Sequence, residues 1–504
     1  MTGSERTRQV ALGLLIFFIG ASALAFGSVE LWAQEWLRFG GVLALGIVLW
    51  TVPPREVLGG TAGRLALPVA LFAFWGLVQV APMPRSIVGA LSPRAAEIYR
   101  QTIPPAGGES LPGWLLEKAV AEGFQVEAGA TLPIGTSDSG GHSVGRGFSL
   151  YPHATWRATL SWITPVIFFL LTAWVARSQV ARYRLLWGIS AWAGLLGLIA
   201  VLQMISWNEM ILWIRPRPRG TAPLGPFVNP NHFAGYVEMA TLVALGLTLA
   251  LLSRTTGKLN LAGIRAALLD RDWTLPRLLL LGGLATLGLS GLLISGSRGG
   301  YLAFGVGVVF LFLAKRLRGA LIVLAGAVVV GGVAVGLVSS LGPGGPELDT
   351  IPLASSELSP SYLLRLDAWE KTLDMFADFP VTGTGLGTFQ WAFAGYQRSG
   401  EWLSWADAHN DYLQVLAEGG LVGAALLTWG LWVFIRRVMR PALVRSSRQL
   451  RWTTVATAAA VVAMMIHSIV DFNLQTPSNA LLFAVLVGIL VAAASDENSG
   501  RRES

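Results

Sequence analysis

Cysteine is absent from the 504 residues, and charge is scarce, with Asp, Glu, Lys and Arg together supplying 13% of the chain. The first absence excludes a disulfide framework and thiolate chemistry. The second excludes an ordinary soluble protein, whose charged fraction is about 25%. Histidine is rare too, at five residues, so each imidazole stands out as a candidate for proton transfer. Glycine-rich phosphate loops, zinc-ligand spacings, nucleic-acid modules, soluble repeats and coiled-coil heptads are missing as well.

What fills the space is apolar: 53% of the residues are hydrophobic, with 20 Trp and 59 Gly. Indole rings favour the headgroup boundary, and glycine lets helices approach closely in lipid. Runs long enough to cross roughly 30 Å of hydrocarbon lie near 9–27, 39–53, 64–81, 160–177, 184–205, 233–253, 276–295, 299–314, 319–340, 410–435, 452–470 and 478–495. The expected fold is an all-α polytopic bundle of about twelve transmembrane helices, forming one membrane domain over 1–504. Its first run, from Val10 to Phe26, follows Arg6 and Arg8 without a convincing signal-peptidase site and reads as a retained helix.

The formal charge of +8 reflects topology rather than a nucleic-acid partner. With the N-terminus inside, most of the 37 Lys and Arg fall in short inner loops, as the positive-inside rule requires. Both termini are then expected in the cytoplasm. The long outer segments become 82–159, 206–232 and 341–409. In the last of these, Leu363, Leu364, Leu366, Trp369, Leu373 and Phe376 recur at helical spacing, which predicts an amphipathic helix.

This orientation puts His142, His153, His232, His409 and His467 on the outer side or at outer helix ends. Four of them lie in polar-aromatic clusters: SLYPHATWR, PFVNPNHFAGY, AHNDYLQVLAE and HSIVDFNLQTPSN. Beside them stand Arg215, Arg217, Arg219, Arg298 and Arg365, on the face where arginine is disfavoured. A guanidinium between apolar helices is costly without an anionic partner, and it grips phosphate in bidentate fashion. Outward arginines therefore point to a polyanionic ligand such as a lipid diphosphate; the bland alternative is snorkelling to headgroups. Asn410 and Asp411 also fit as helix caps. His467 and Asp471, at i,i+4, fit a structural hydrogen bond, and His153 and Arg157 fit packing near an outer mouth. A metal held by His409, Asp407, Asp411 and Glu401 lacks any recognised ligand spacing.

The ordered set PFVNPNHFAGY, SGSRGGYLAF, the Arg365–Trp369 helix leading to GTGLGTF, AHNDYLQVLAEGG and HSIVDFNLQTPSNALLFA resembles the O-antigen ligase and polymerase family of bacterial envelope glycosyltransferases. The likeness runs from about 150 to 490 and defines a core over 160–495 with its large periplasmic loop at 341–409. It implies a GT-C-type fold in the inner membrane, an undecaprenyl-diphosphate-linked glycan donor, and transfer without metal or other cofactor. By the same resemblance the catalytic histidine is His409. The diphosphate falls to Arg298, Arg365 and either Arg217 or Arg219. Asn229, Asn231, His232, Asn410, Asp411, His467 and Asp471 bind substrate or shape the site.

Acceptors compatible with that chemistry are lipid A core, as in a ligase, or a growing glycan, as in a polymerase working with a chain-length regulator; transfer to protein shares the donor chemistry. The competing class is a polysaccharide or lipid transporter, but ionisable residues gathered at one face argue against it. A third reading, a cell-wall polymerase, would use an outer-loop carboxylate such as Asp407 or Asp411. The geometric requirement of the glycosyltransferase reading is that Arg298, Arg365 and His409 converge on one pocket.

Overall fold

A computed structural model describes residues 3–102, 147–206, 210–216, 225–256, 265, 274–313, 360–397, 405–445 and 451–495. Twelve longer helices organise them: α1 (Gly3–Leu24), α2 (Leu31–Thr51), α3 (Gly60–Val80), α4 (Pro152–Val175), α5 (Gln179–Ser206), α6 (Pro230–Thr256), α7 (Thr274–Ile294), α8 (Arg298–Leu313), α9 (Pro360–Asp378), α10 (Asp411–Phe434), α11 (Arg451–His467) and α12 (Pro477–Ser495). Proline opens α4, α6, α9 and α12, where its missing N–H costs nothing and its fixed φ suits the first turn. The one described sheet is a small antiparallel pairing of Met210–Ile211 with Arg215–Pro216.

Eight described helices are long and apolar enough to cross a membrane: α1, α3, α4, α5, α6, α7, α10 with its continuation to Val444, and α12. Helices of this number, length and composition mark a multi-pass membrane protein. The expected twelve is not reached by this measure. Helix α8, at 16 residues, and α11, at 17, are short. Helix α2 is less apolar, because Gln34, Glu35 and Arg38 interrupt it. The run 319–340, His142, Arg217, Arg219, Glu401 and most of the first outer segment lie outside the described residues.

Helix α6 is the hub. It packs on α5, α7, α8, α11 and α12 and is buried on nearly every side, as an all-round apolar helix must be. A second layer pairs α4 with α3 and α12, and α10 with α3. The predicted amphipathic helix exists as α9, but its buried face is not the leucine stripe. Ala368, Lys371, Thr372 and Met375 are buried, whereas Leu364, Leu366 and Leu373 are exposed. Small and polar side chains let α9 lie close over the start of α10, while the leucines turn outward.

The segment between α9 and α10 is shaped by three left-handed glycines, Gly383, Gly385 and Gly387. A side-chain carbon on Gly383 would lie 2.1 Å from the Glu418 carbonyl oxygen, and one on Gly385 would lie 2.6 Å from the Ser149 hydroxyl. The GTGLGTF motif is thus a close-approach device as well as a turn.

Candidate active site

The site is built on the turn Ser468–Thr476, which links α11 to α12. Asp471, at its centre, is 1% exposed. One carboxylate oxygen lies 3.2 Å from Nδ1 of His409 and accepts the N–H of Phe472 at 2.9 Å. The other lies 3.6 Å from Nη2 of Arg365. Arg365 also donates through Nη1 to the Val470 carbonyl at 2.7 Å, so α9 grips the turn at two consecutive residues. Burial opposes ionisation of Asp471, but the hydrogen bond with His409 and the charges of His232, His409 and Arg365 outweigh it and hold the carboxyl below its usual range.

His409 sits immediately before the cap of α10, with a left-handed backbone at φ 49°, a conformation uncommon outside glycine and costly enough to need support. The support is local. Asn410 caps α10 by accepting from Tyr412 N and Leu413 N, each at 3.0 Å. Trp369 Nε1 donates to the Ala408 carbonyl at 3.0 Å. The imidazole stands edge to face between Trp405 and Phe472, with ring centroids at 5.6 and 4.8 Å. An ionised Asp471 can only accept, so Nδ1 of His409 carries the hydrogen. In the neutral ring Nε2 then keeps its lone pair.

Arg298 opens α8 after the turn Ser295–Ser297, in which Gly296 is left-handed. Its neighbour Gly299 packs so tightly that a side-chain carbon there would lie 2.9 Å from Val470 Cγ2 and 3.1 Å from His467 Nε2. The Arg298 backbone is therefore one residue from the turn held by Arg365. Its side chain is exposed and makes no hydrogen bond or ion pair among the described residues. Two of the three groups required to converge are joined through Asp471; for the third, it is the neighbouring Gly299 that lies against Val470 of the same turn.

The remaining residues divide. His232 lines the far side of Asp471, with Nε2 3.9 Å from the carboxylate, Nδ1 2.9 Å from Thr476 Oγ1, and Phe472 edge to face at 4.5 Å. Asn229 accepts from Asn231 N at 2.9 Å and shapes the entry into α6. Asp411 accepts from Leu474 N at 3.0 Å and donates through its own N–H to Ser468 O, tying α10 to the turn. The side-chain bond expected between His467 and Asp471 does not form. The helix ends at His467, whose Nδ1 turns to Glu238 at 3.0 Å, and Asp471 turns the opposite way. His153 and Arg157 stay outside the site: His153 is exposed beside Tyr151, and the Arg157 carbonyl accepts from Arg38.

Of the carboxylates weighed for a metal, Asp407 and Asp411 are engaged by other partners. Asp407 accepts from Gln414 at 2.9 Å, and its pKa is raised, chiefly by burial. Among the described residues no group of three or more His, Asp or Glu is placed to hold an ion.

Three buried polar residues were not singled out from the sequence. Glu418 accepts the N–H groups of Gly387 and Phe389 at 2.8 and 2.9 Å. Gln79 donates to the carbonyls of Thr382 and Glu418 and accepts from Leu386 N. Glu238 pairs with His467. Their common signal is a carboxylate or amide inside an apolar run, where a polar group needs a specific partner.

Below the site lies a largely apolar cavity of about 520 Å³. Asp411, Tyr412 and Leu474 line it next to the site, and Leu65, Phe434 and Val487 line it as well.

No curated protein matches the chain. The matched family segment contains Arg298, Arg365 and His409, whereas Asp471 and His232 lie beyond it. Over residues 283–428 the chain matches the O-antigen ligase family model.

Proposed function

We propose that the protein transfers a glycan from an undecaprenyl-diphosphate-linked donor to an acceptor hydroxyl at the periplasmic face of the inner membrane, in the manner of an O-antigen ligase. The observation that carries this reading is the linkage of His409 and Arg365 through one buried carboxylate, with the exposed Arg298 opening the helix that packs against the same turn. Donor chemistry supports it: a transferase outside the cytoplasm has no nucleotide supply and needs a substrate that brings its own leaving group.

In the proposed reaction, Nε2 of His409 accepts the acceptor's hydroxyl proton as that oxygen bonds to the anomeric carbon. The bond from that carbon to the diphosphate oxygen breaks, and its electron pair leaves on the diphosphate. Arg298 and Arg365 face the charge that develops there, with Arg217 or Arg219 as a further cation. Asp471 touches no reacting atom; it is a positioning residue that sets the tautomer of His409 and anchors Arg365. One displacement inverts the anomeric centre, and no step requires a metal ion. The apolar cavity beneath Asp411 suits the polyprenyl chain of the donor.

The test is purified protein given a defined undecaprenyl-diphosphate oligosaccharide with lipid A core or a second donor molecule, with and without EDTA. Transfer to lipid A core with inversion, unchanged by chelation, is the expected result. Retention of configuration would overturn the displacement mechanism. Extension of the second donor would make the chain a polymerase, and no transfer to either acceptor would remove the reading altogether.

A further inference from the structure

Behind the candidate site lies a second carboxylate–imidazole pair that the proposed reaction does not use. Glu238, on the hub helix α6, is fully buried, and His467, at the end of α11, is 1% exposed. Their Oε2 and Nδ1 atoms are 3.0 Å apart. The opposite atoms, Glu238 Oε1 and His467 Nε2, are buried without a hydrogen-bond partner. An isolated charge in such surroundings is costly, and a paired one is tolerated.

The direction of the pair is the informative feature. His467 Nε2 lies 3.1 Å from the position a side-chain carbon would take on Gly299, and Cε1 lies 3.4 Å from the corresponding position on Gly300. The imidazole therefore faces the first turn of α8. The first N–H groups of a helix have no partner within it and carry the positive end of its dipole. Ser297 Oγ accepts from Gly300 N, which leaves the amides of Arg298 and Gly299 ahead of it, and Arg298 itself is exposed and has no hydrogen-bond or ion-pair partner among the described residues. A helix start that carries an exposed arginine and a buried imidazole nitrogen without a partner among the described residues meet at one place.

We infer that Glu238 and His467 form a buried ion pair whose positive end lies beneath the start of α8, where it strengthens the hold of Arg298 on a phosphate-bearing ligand. Glu238 is the positioning residue: its carboxylate fixes Nδ1 as a donor and keeps the proton on the ring, so that Nε2 presents an N–H toward α8. Gly299 serves this arrangement, because a side chain there would press the helix start against the imidazole. The inference rests on the reading of Arg298 as a diphosphate ligand, and its test separates the two.

The experiment measures binding of undecaprenyl diphosphate, and of undecaprenol as the phosphate-free probe, to full-length protein in lipid nanodiscs. Glu238→Gln removes the charge and nearly preserves the shape. It should weaken the diphosphate lipid roughly tenfold, the effect of one nearby charge partly screened by protein, and leave undecaprenol unchanged. Glu238→Asp should restore most of the loss. If Glu238→Gln does not fold, His467→Gln removes the positive end of the pair directly and should weaken the diphosphate lipid in the same direction.

Equal weakening of both lipids would reduce the pair to packing and overturn the inference, as would wild-type affinity for the diphosphate. Arg298→Ala is run alongside. If it weakens diphosphate binding while Glu238→Gln does not, only this inference falls; if neither weakens it, the diphosphate reading of Arg298 falls as well.

Discussion

At the scale of single residues, the chemistry depends on how one carboxylate is shared. His409→Gln should lower kcat by about 10²- to 10⁴-fold, the usual contribution of a positioned general base, with the folded state retained in a thermal unfolding assay. Asp471→Asn should also lower kcat by about 10²-fold or more, because an amide can donate to Nδ1 and so reverse the tautomer. It should raise the donor KM as well, since Arg365 loses its anchor. Asp471 further predicts a pH response. Its folded pKa is lowered, so its stabilising contribution is present above the ordinary carboxylate value of about 4 and is lost as pH falls through the folded value. The difference in thermal midpoint between wild type and Asp471→Asn should hold steady from pH 7 to about 5 and shrink below about 4. His409 and Arg365 were legible from sequence because each is a rare polar residue in an ordered motif. The role of Asp471 was not, because i,i+4 spacing suggested His467 as its partner. The chain leaves the helix after His467, and the two side chains part.

At the scale of elements, close approach of backbone decides which groups meet. Helix α8 reaches the Ser468–Thr476 turn only because residue 299 has no side chain. Gly299→Ala would need space already held by Val470 and His467. The expected cost is about 1–3 kcal/mol of stability, with a raised donor KM as Arg298 is displaced; steady-state kinetics and thermal unfolding check both. The loop before α9's partner helix is held differently. Glu418 takes two backbone N–H groups of the GTGLGTF segment, and Glu418→Ala would leave both without this acceptor, at about 1–3 kcal/mol for the buried N–H of Phe389 and less for the part-buried one of Gly387. A chemical denaturation series should show that loss, and Glu418→Gln, which keeps an acceptor, should lose less. Periodicity announced α9 as a helix, but it could not reveal which face is buried. That face is chosen by what α10 offers, and the start of α10 accepts small and polar side chains.

At the scale of the whole molecule, the absence of cysteine gives a direct test of sidedness. A single cysteine replacing Trp391, which is 53% exposed, should react with a membrane-impermeant maleimide added outside cells with permeabilised outer membranes. One replacing the exposed Arg436 should react only after lysis, and the reverse pattern would invert the proposed topology and the site with it. The sequence by itself determined the solvent, the helical class and the family resemblance, because apolar run length, charge placement and motif order are properties of the chain read along its length. That α6 is the hub, that Asp471 joins His409 to Arg365, and that Glu238 lies against His467 were decided by tertiary structure alone. Those contacts join residues up to 229 positions apart, and a buried polar group acquires its role from the partner that packing delivers to it.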